Sequence, residues 1–501
     1  MSASSPTGMR ADGVGVRLPD RMPVSQPALT GVGALRAAGR APQLPFRIAL
    51  DDGRELTMRR LLRVLPGKRL VGEAELDDSR VLAKLFIDRH GGKRWQQERA
   101  GLDALARAGV PTPALIAAKT IAGGGYALLT TFLEPVESLA EAWARVAGRS
   151  ADEREALSLL VPLLAAYGRL HAAGLVHEDP HLGNFLCHAG HLWVIDGDAV
   201  RQVSARRPLP AAGARANLAM LLAQLPPAWD DRLSELLPAY AAAAGADESE
   251  LAGLREEIAR FRAWRLRDYL AKTVRDCTLF AVEQSTTCFR AVLRQEAAAL
   301  AVVLASPDAV IDGGELLKDG ATCTVARVLV DRRELVIKRY NLKSLRHALG
   351  RLWRPSRAWH SWREGQRLQF LGISTPAPLA LIEERAGPLR RRAWLICEYC
   401  RGPNLLTHLS PDCAPPSAEA RAILDLFESL CQQRISHGDL KATNLLWHDN
   451  RVLLIDLDAV VQHRTAAAHA RAWRRDRARL LRNWSPGSAL HRWLDDRLPA
   501  A

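Results

Sequence analysis

Two stretches of this chain repeat the same spacing of reactive side chains, and that repetition constrains its fold more than any other feature. HGDLKATN carries His437, Asp439, Lys441 and Asn444, and the apolar run LLIDLDA that follows delivers Asp456. Far upstream, HEDPHLGN carries His177, Asp179 and Asn184, and WVIDGDA delivers Asp196 at the same intervals. One chemical device used twice implies a duplicated domain rather than a single long core.

The flanks of each motif repeat as well. From Phe46 the runs FRIAL, ELTMRRLLRVL, RLVGEAEL and VLAKLF, broken by turns, predict antiparallel strands. Alternation in the last run places Lys84 on one face with Leu82 and Phe86. A lysine inside such a strand suits a cleft that takes anionic phosphates, provided a carboxylate steadies it. GGKRWQQERAGLDALARAG supplies Glu98 on a predicted helix between Trp95, Leu102 and Leu105. In the second half, GELLKDGATCTVARVLV and LVIKRY repeat the strands and place Lys338 in the position of Lys84, while HSWREGQRLQFLG offers Glu364 as the counterpart of Glu98. Both helices run out into similar text, GVPTPALIA and GISTPAPLALI.

These landmarks predict a leader over 1–44, rich in Gly, Ala, Pro, Ser and Arg and without periodicity, and therefore mostly disordered. A first domain is expected over 45–305, with a small lobe to about 133 and a larger lobe after it. A second is expected over 306–501, dividing near 398 and 399. The apolar spacing in LREEIARFRAWRLRDYLAKTV and CFRAVLRQEAAALAVVL predicts helix through most of 211–305. Pro162 is expected to distort or delay the helix that leads into HEDPHLGN.

Composition narrows the partners. Lys and Arg number 69 against 55 Asp and Glu, a net charge of +14, which favours anionic ligands. The eight cysteines are scattered, mostly among apolar residues, and predict packed thiols in a reducing compartment; Cys397 and Cys400 lack the second pair a zinc site needs. No apolar run reaches the length of a membrane span and the start lacks a signal-peptide pattern, so a cytoplasmic protein is expected, without nucleic acid as partner.

Asp, Asn, Lys and Asp in this order suit phosphoryl transfer, in which the protein mainly positions groups and neutralises charge. Asp439 and Asp179 would receive the acceptor's proton, Lys441 would reach the transferred phosphoryl, and Lys338 and Lys84, held by Glu364 and Glu98, would fix the donor phosphates. Asn444 with Asp456, and Asn184 with Asp196, would hold Mg²⁺.

The strand lysine, helix glutamate, HxDxxxxN loop and post-strand aspartate resemble the protein-kinase-like superfamily in both halves. The fold this implies is α+β: two tandem kinase-like domains, each a small β-rich lobe with one helix and a mainly helical lobe. The pattern departs from protein kinases. Glu178 or Gly438 precedes the loop aspartate where an arginine would stand, and DGD or DLD replaces the usual metal triplet. The short stretch from Asp456 to Asp476, in a helix resembling the one that braces the catalytic loop, leaves no room for a peptide platform.

HGDLKATNLLWHDNRVLLIDLDAV and LKDGATCTV are most similar to the lipopolysaccharide core kinases, the heptose and Kdo kinase group with InaA-type proteins. The resemblance implies ATP and Mg²⁺, an inner-core sugar as acceptor, and peripheral contact with the cytoplasmic face of the inner membrane. Arg464, Arg471, Arg474, Arg475, Arg477, Arg479 and Arg482 suit an anionic, membrane-held acceptor or a solvated helix face. The first copy has His181 for Lys441 and Asn217 for Asp476, and DPHLGN resembles UbiB-type kinases, so the second copy is expected to transfer phosphate and the first, with Lys84, Glu98, Asp179, Asn184 and Asp196 intact, either to do so too or to bind nucleotide and regulate. The alternatives are a soluble phosphotransferase of the aminoglycoside or choline type, or a tandem pseudokinase that binds ATP and regulates.

Overall fold

In a computed structural model, residues 29–146, 153–204, 207–341, 355–387 and 389–500 are described. The chain divides into two compact units, Met1–Gln224 with Trp229–Glu257, and Leu225–Ala228 with Ile258–Ala501.

The first unit opens with an antiparallel sheet of β1 (Phe46–Ala49), β2 (Glu55–Leu65), β3 (Arg69–Leu76), β4 (Ser79–Phe86), β5 (Leu115–Thr120) and β6 (Tyr126–Thr131), in the order β1-β2-β3-β4-β6-β5. Alternation sends Val81, Ala83 and Leu85 into one apolar layer with Ile48, Leu56, Met58 and Leu129. Lys84 therefore lies on the opposite face, on the side where Phe86 and Leu128 pack with Leu102 of the helix Gly91–Arg107. Trp95 pins that helix to the sheet: its indole donates to the Ala127 carbonyl at 3.0 Å, and its ring stacks on Tyr126.

The larger lobe of this unit is built on the helices Leu139–Val146, Glu153–Ala172, Ala211–Leu222 and Leu233–Ala244. It also carries short strands β7 (Glu137–Ser138), β8 (Leu175–His177), β9 (Phe185–His188), β10 (His191–Val194) and β11 (Val200–Gln202). Pro162 does not delay its helix, which begins at Glu153 and contains the proline.

In the second unit β12 (Phe280–Gln284), β13 (Cys288–Leu293), β14 (Glu315–Gly320), β15 (Cys323–Val330), β16 (Arg333–Tyr340), β17 (Pro378–Ala386) and β18 (Leu389–Glu398) form one sheet, ordered β12-β13-β17-β18-β16-β15-β14. Its helix, Arg357–Phe370, starts at Ser356, whose hydroxyl accepts from the Trp359 amide at 3.0 Å. The larger lobe contains helices Ser417–Gln432, Ala466–Leu481 and Ala489–Arg497, with β19 (Ile435–Ser436), β20 (Leu445–His448), β21 (Arg451–Leu454) and β22 (Val461–Gln462). Phe427, Trp473, Leu480 and Leu494 lie in its core.

Three further expectations from the sequence are corrected. The first domain does not run to 305: its unit ends at Glu257, and the stretch from Ile258, which includes β12 and β13, belongs to the second unit. The leader is ordered from Leu29 onward: Leu29 bridges to Arg47, and the helix Val32–Ala37 buries Val32 and Leu35 in the first sheet's core. Its earlier part, 1–28, lies outside the described residues. Predicted helix around CFRAVL is instead β13, hairpinned to β12 and paired with β17, because Phe289 and Ala291 alternate into an aromatic cluster with Phe280 and Trp362.

Candidate active site

Both units build the site from the same parts. A buried histidine opens the loop, a one-turn helix carries the asparagine, and a tight hairpin leads to the second aspartate. The hairpin turns at Ala189-Gly190 and Asp449-Asn450 have positive φ at both positions, which suits two-residue turns between twisted strands. Asp196 and Asp456 then leave the hairpin in the left-handed region, at φ 69° and 59°.

In the first unit Lys84 Nζ donates to Glu98 at 2.5 Å and Asp196 at 3.1 Å. Burial opposes the lysine's charge, but the two carboxylates outweigh it and hold its pKa above the ordinary value. Glu98 is fully buried and also accepts from the Gly197 and Asp198 amides, tying the helix to the loop. That contact is close: a Cβ on Gly101 would fall 1.9 Å from the Gly197 carbonyl oxygen. Asn184 donates to the Asp179 carbonyl at 2.9 Å, and His181 accepts from the Gly183 amide at 3.0 Å. Asn217 bonds both the amide and the carbonyl of His177.

In the second unit the Asp439 carboxylate lies between two cations, Lys441 at 3.1 Å and Arg479. Asn444 donates to the Asp439 carbonyl at 2.9 Å. His437 donates through Nε2 to the Ile455 carbonyl, which leaves Nδ1 to accept from the Asp439 amide at 3.3 Å. Asp476 accepts from the amides of His437 and Gly438. Lys338 Nζ donates to Asp456 at 2.5 Å.

The expected pairing of Lys338 with Glu364 is not formed. Glu364 is buried and pairs with Arg367 at 2.7 Å, one helical turn further on. Lys338 instead donates to Asp458 at 3.1 Å, a residue the sequence reading left without a role. The signal lay in the helix run-outs. Aligning GVPTP with GISTP without gaps puts Ser361 opposite Glu98, and Ser361 donates to Asp458 at 2.6 Å.

The donors present fit a hard cation. Each asparagine commits its amide nitrogen to the loop-aspartate carbonyl, which orients its oxygen as the free end. Oxygens of Glu98, Asp196 and Asp198 come within 4.8 Å of one another. Asn184 with Asp196, and Asn444 with Asp456, are the groups that would hold Mg²⁺, through the all-oxygen ligation it prefers.

A sheet lysine, a loop aspartate and an Asn/Asp oxygen pair, set between a β-rich and a helical lobe, define the class: a kinase-like fold present in each of two tandem units. The chain belongs to the lipopolysaccharide kinase (Kdo/WaaP) family, whose model matches residues 79–230 and again 312–493. It is a kinase that acts as a phosphotransferase. Among solved structures it is similar to WaaP in complex with acyl carrier protein, at 23% identity over 42% of this chain and 86% of that one, with a TM-score of 0.32. Vaccinia related kinase 3 matches at 14% identity over 35% and 57%, with a TM-score of 0.26. A search of curated proteins finds no match.

Proposed function

We propose that the protein is an ATP- and Mg²⁺-dependent kinase that transfers the γ-phosphate to a sugar hydroxyl of the lipopolysaccharide inner core, on heptose or Kdo, and that the second unit carries the transfer. The observation that carries this reading is the setting of Asp439: a carboxylate flanked by Lys441 and Arg479, on a loop braced by Asp476, within a chain matched twice by the lipopolysaccharide kinase family.

Asp439 orients the acceptor hydroxyl and receives its proton as the oxygen attacks phosphorus. Lys441 lies beside that carboxylate and answers the charge on the transferring group, while Lys338 holds the donor's α- and β-phosphates. Asn444 and Asp456 hold the metal, whose charge when bound offsets that of the phosphates. In the first unit Lys84, Glu98, Asp179, Asn184 and Asp196 repeat the arrangement, with His181 in place of the loop lysine. That unit binds nucleotide and either transfers phosphate more slowly or regulates its twin.

Peripheral contact with the cytoplasmic face of the inner membrane is part of the proposal. Among the described residues no helix is long and apolar enough to cross a membrane. Arg471, Arg474 and Arg475 are exposed on the helix Ala466–Leu481, a basic surface suited to an anionic acceptor held at a lipid face.

The test is phosphate analysis of core oligosaccharide purified from cells carrying Asp439→Ala, Asp179→Ala or both. Loss of core phosphate with Asp439→Ala supports the reading, and unchanged phosphate in the double variant rejects it.

A further inference from the structure

The two units hold their strand lysine by different means. In the first, Glu98 reaches Lys84 from the helix, and Asp198, two residues beyond the metal-type aspartate, pairs with Arg69 at 3.0 Å. In the second, Ser361 occupies the helix register of Glu98 and cannot bring a charge to the lysine. The carboxylate comes instead from the loop. Asp458 Oδ1 accepts from Lys338 at 3.1 Å, from Ser361 at 2.6 Å and from the Tyr340 hydroxyl at 2.6 Å, while Arg357 pairs with Oδ2.

Asp456 also contacts Lys338, but it is the carboxylate assigned to the metal and its side chain is 38% exposed, against 11% for Asp458. A lysine tied to Asp456 alone would compete with the cation for one carboxylate. A buried carboxylate with donors on both oxygens is committed to the protein.

We infer that Asp458 is the positioning residue that holds Lys338 for the donor phosphates in the second unit, doing from the loop what Glu98 does from the helix in the first. This rests on the proposed ATP site of that unit. A corollary is that a glutamate placed at Ser361, in the helix register of Glu98, can stand in for Asp458.

The test uses the full chain with Lys84→Ala and Asp179→Ala, which confines nucleotide binding and turnover to the second unit. ADP release gives KM for ATP and kcat, calorimetry gives the Kd of Mg²⁺-ATP, and thermal unfolding reports folding. Asp458→Asn is expected to raise KM and Kd about tenfold, the cost of one pKa-unit's worth of interaction, with a smaller change in kcat. Adding Ser361→Glu is expected to recover most of that loss.

Unchanged KM and Kd in a folded Asp458→Asn variant would overturn the inference, as would a larger rise from Glu364→Gln than from Asp458→Asn. A lowered melting temperature with unaltered Kd would leave Asp458 a purely structural residue and overturn it too. If the parent background binds no ATP at all, the kinase reading of the second unit fails and the positioning role falls with it, a result distinct from binding that Asp458→Asn leaves untouched.

Discussion

The carboxylate of Asp476 accepts from the Gly438 amide at 3.0 Å and from the His437 amide at 2.6 Å, so one side chain sets the backbone on which Asp439 stands. In the first unit Asn217 occupies the equivalent place, accepting from the His177 amide and donating to its carbonyl. Asp476→Asn therefore keeps an acceptor but loses the charge and its shared reach. The expected outcome is a folded protein whose second-unit kcat falls about tenfold, with a stability loss of about 1–3 kcal/mol, read by turnover in an Asp179→Ala background and by thermal unfolding.

In the proposed mechanism Lys441 acts on the reacting group rather than on the fold. Its side chain is 43% exposed and its contact is Asp439 itself. Lys441→Ala should lower second-unit kcat by about a hundredfold, as removal of a charge-stabilising donor does, with KM for ATP little changed. Steady-state kinetics with varied ATP separate the two parameters. A large rise in KM with kcat retained would reassign Lys441 to nucleotide binding.

Two helix glycines, Gly101 in the first unit and Gly365 in the second, are packed with different tightness and predict different tolerance. A methyl group on Gly101 meets the Gly197 carbonyl at 1.9 Å, a backbone atom that cannot step aside. On Gly365 the nearest atoms are side-chain carbons of Pro378 at 3.0 Å and Leu457 at 3.4 Å, which can shift. Gly101→Ala should cost about 3 kcal/mol or more, and Gly365→Ala no more than about 1 kcal/mol. Melting temperatures of the two variants test the order.

His171 gives the first unit a pH dependence. It is buried between Tyr240, at 2.8 Å from Nδ1, and Asn217, at 3.1 Å from Nε2, and burial brings its pKa from 6.5 down to about 4. The unfolded chain takes up the proton first as pH falls below about 6.5, so stability is lost on acidification through that window. Between pH 7 and pH 5 the loss should be about 2 kcal/mol. Hydrogen exchange within the helices Glu153–Ala172 and Ala211–Leu222 measures it, and His171→Gln should flatten the dependence.

Much of this architecture was legible in the sequence, for a physical reason. Strands with one face buried alternate, so β4 and β16 declared both themselves and the side on which Lys84 and Lys338 stand. The paired loops were visible because their chemistry depends on fixed residue types at fixed intervals. Glu364 misled because residue identity was matched before helix register: it lies on nearly the same face as Ser361 but one turn, roughly 4.5 Å, further along the helix axis. The β12–β13 hairpin was obscured because its apolar residues fit a helical period as readily as an alternating one. The pairing of Arg479 with Asp439 was hidden for another reason: a long side chain reaches a partner that local spacing cannot indicate.

The left-handed backbone at Asp196 and Asp456 has a consequence for how such a chain can change. A residue with a Cβ held there costs the fold about 1 kcal/mol that glycine would avoid. Glycine at either position would relieve that strain, so backbone preference alone does not account for a carboxylate at the same left-handed position in both units.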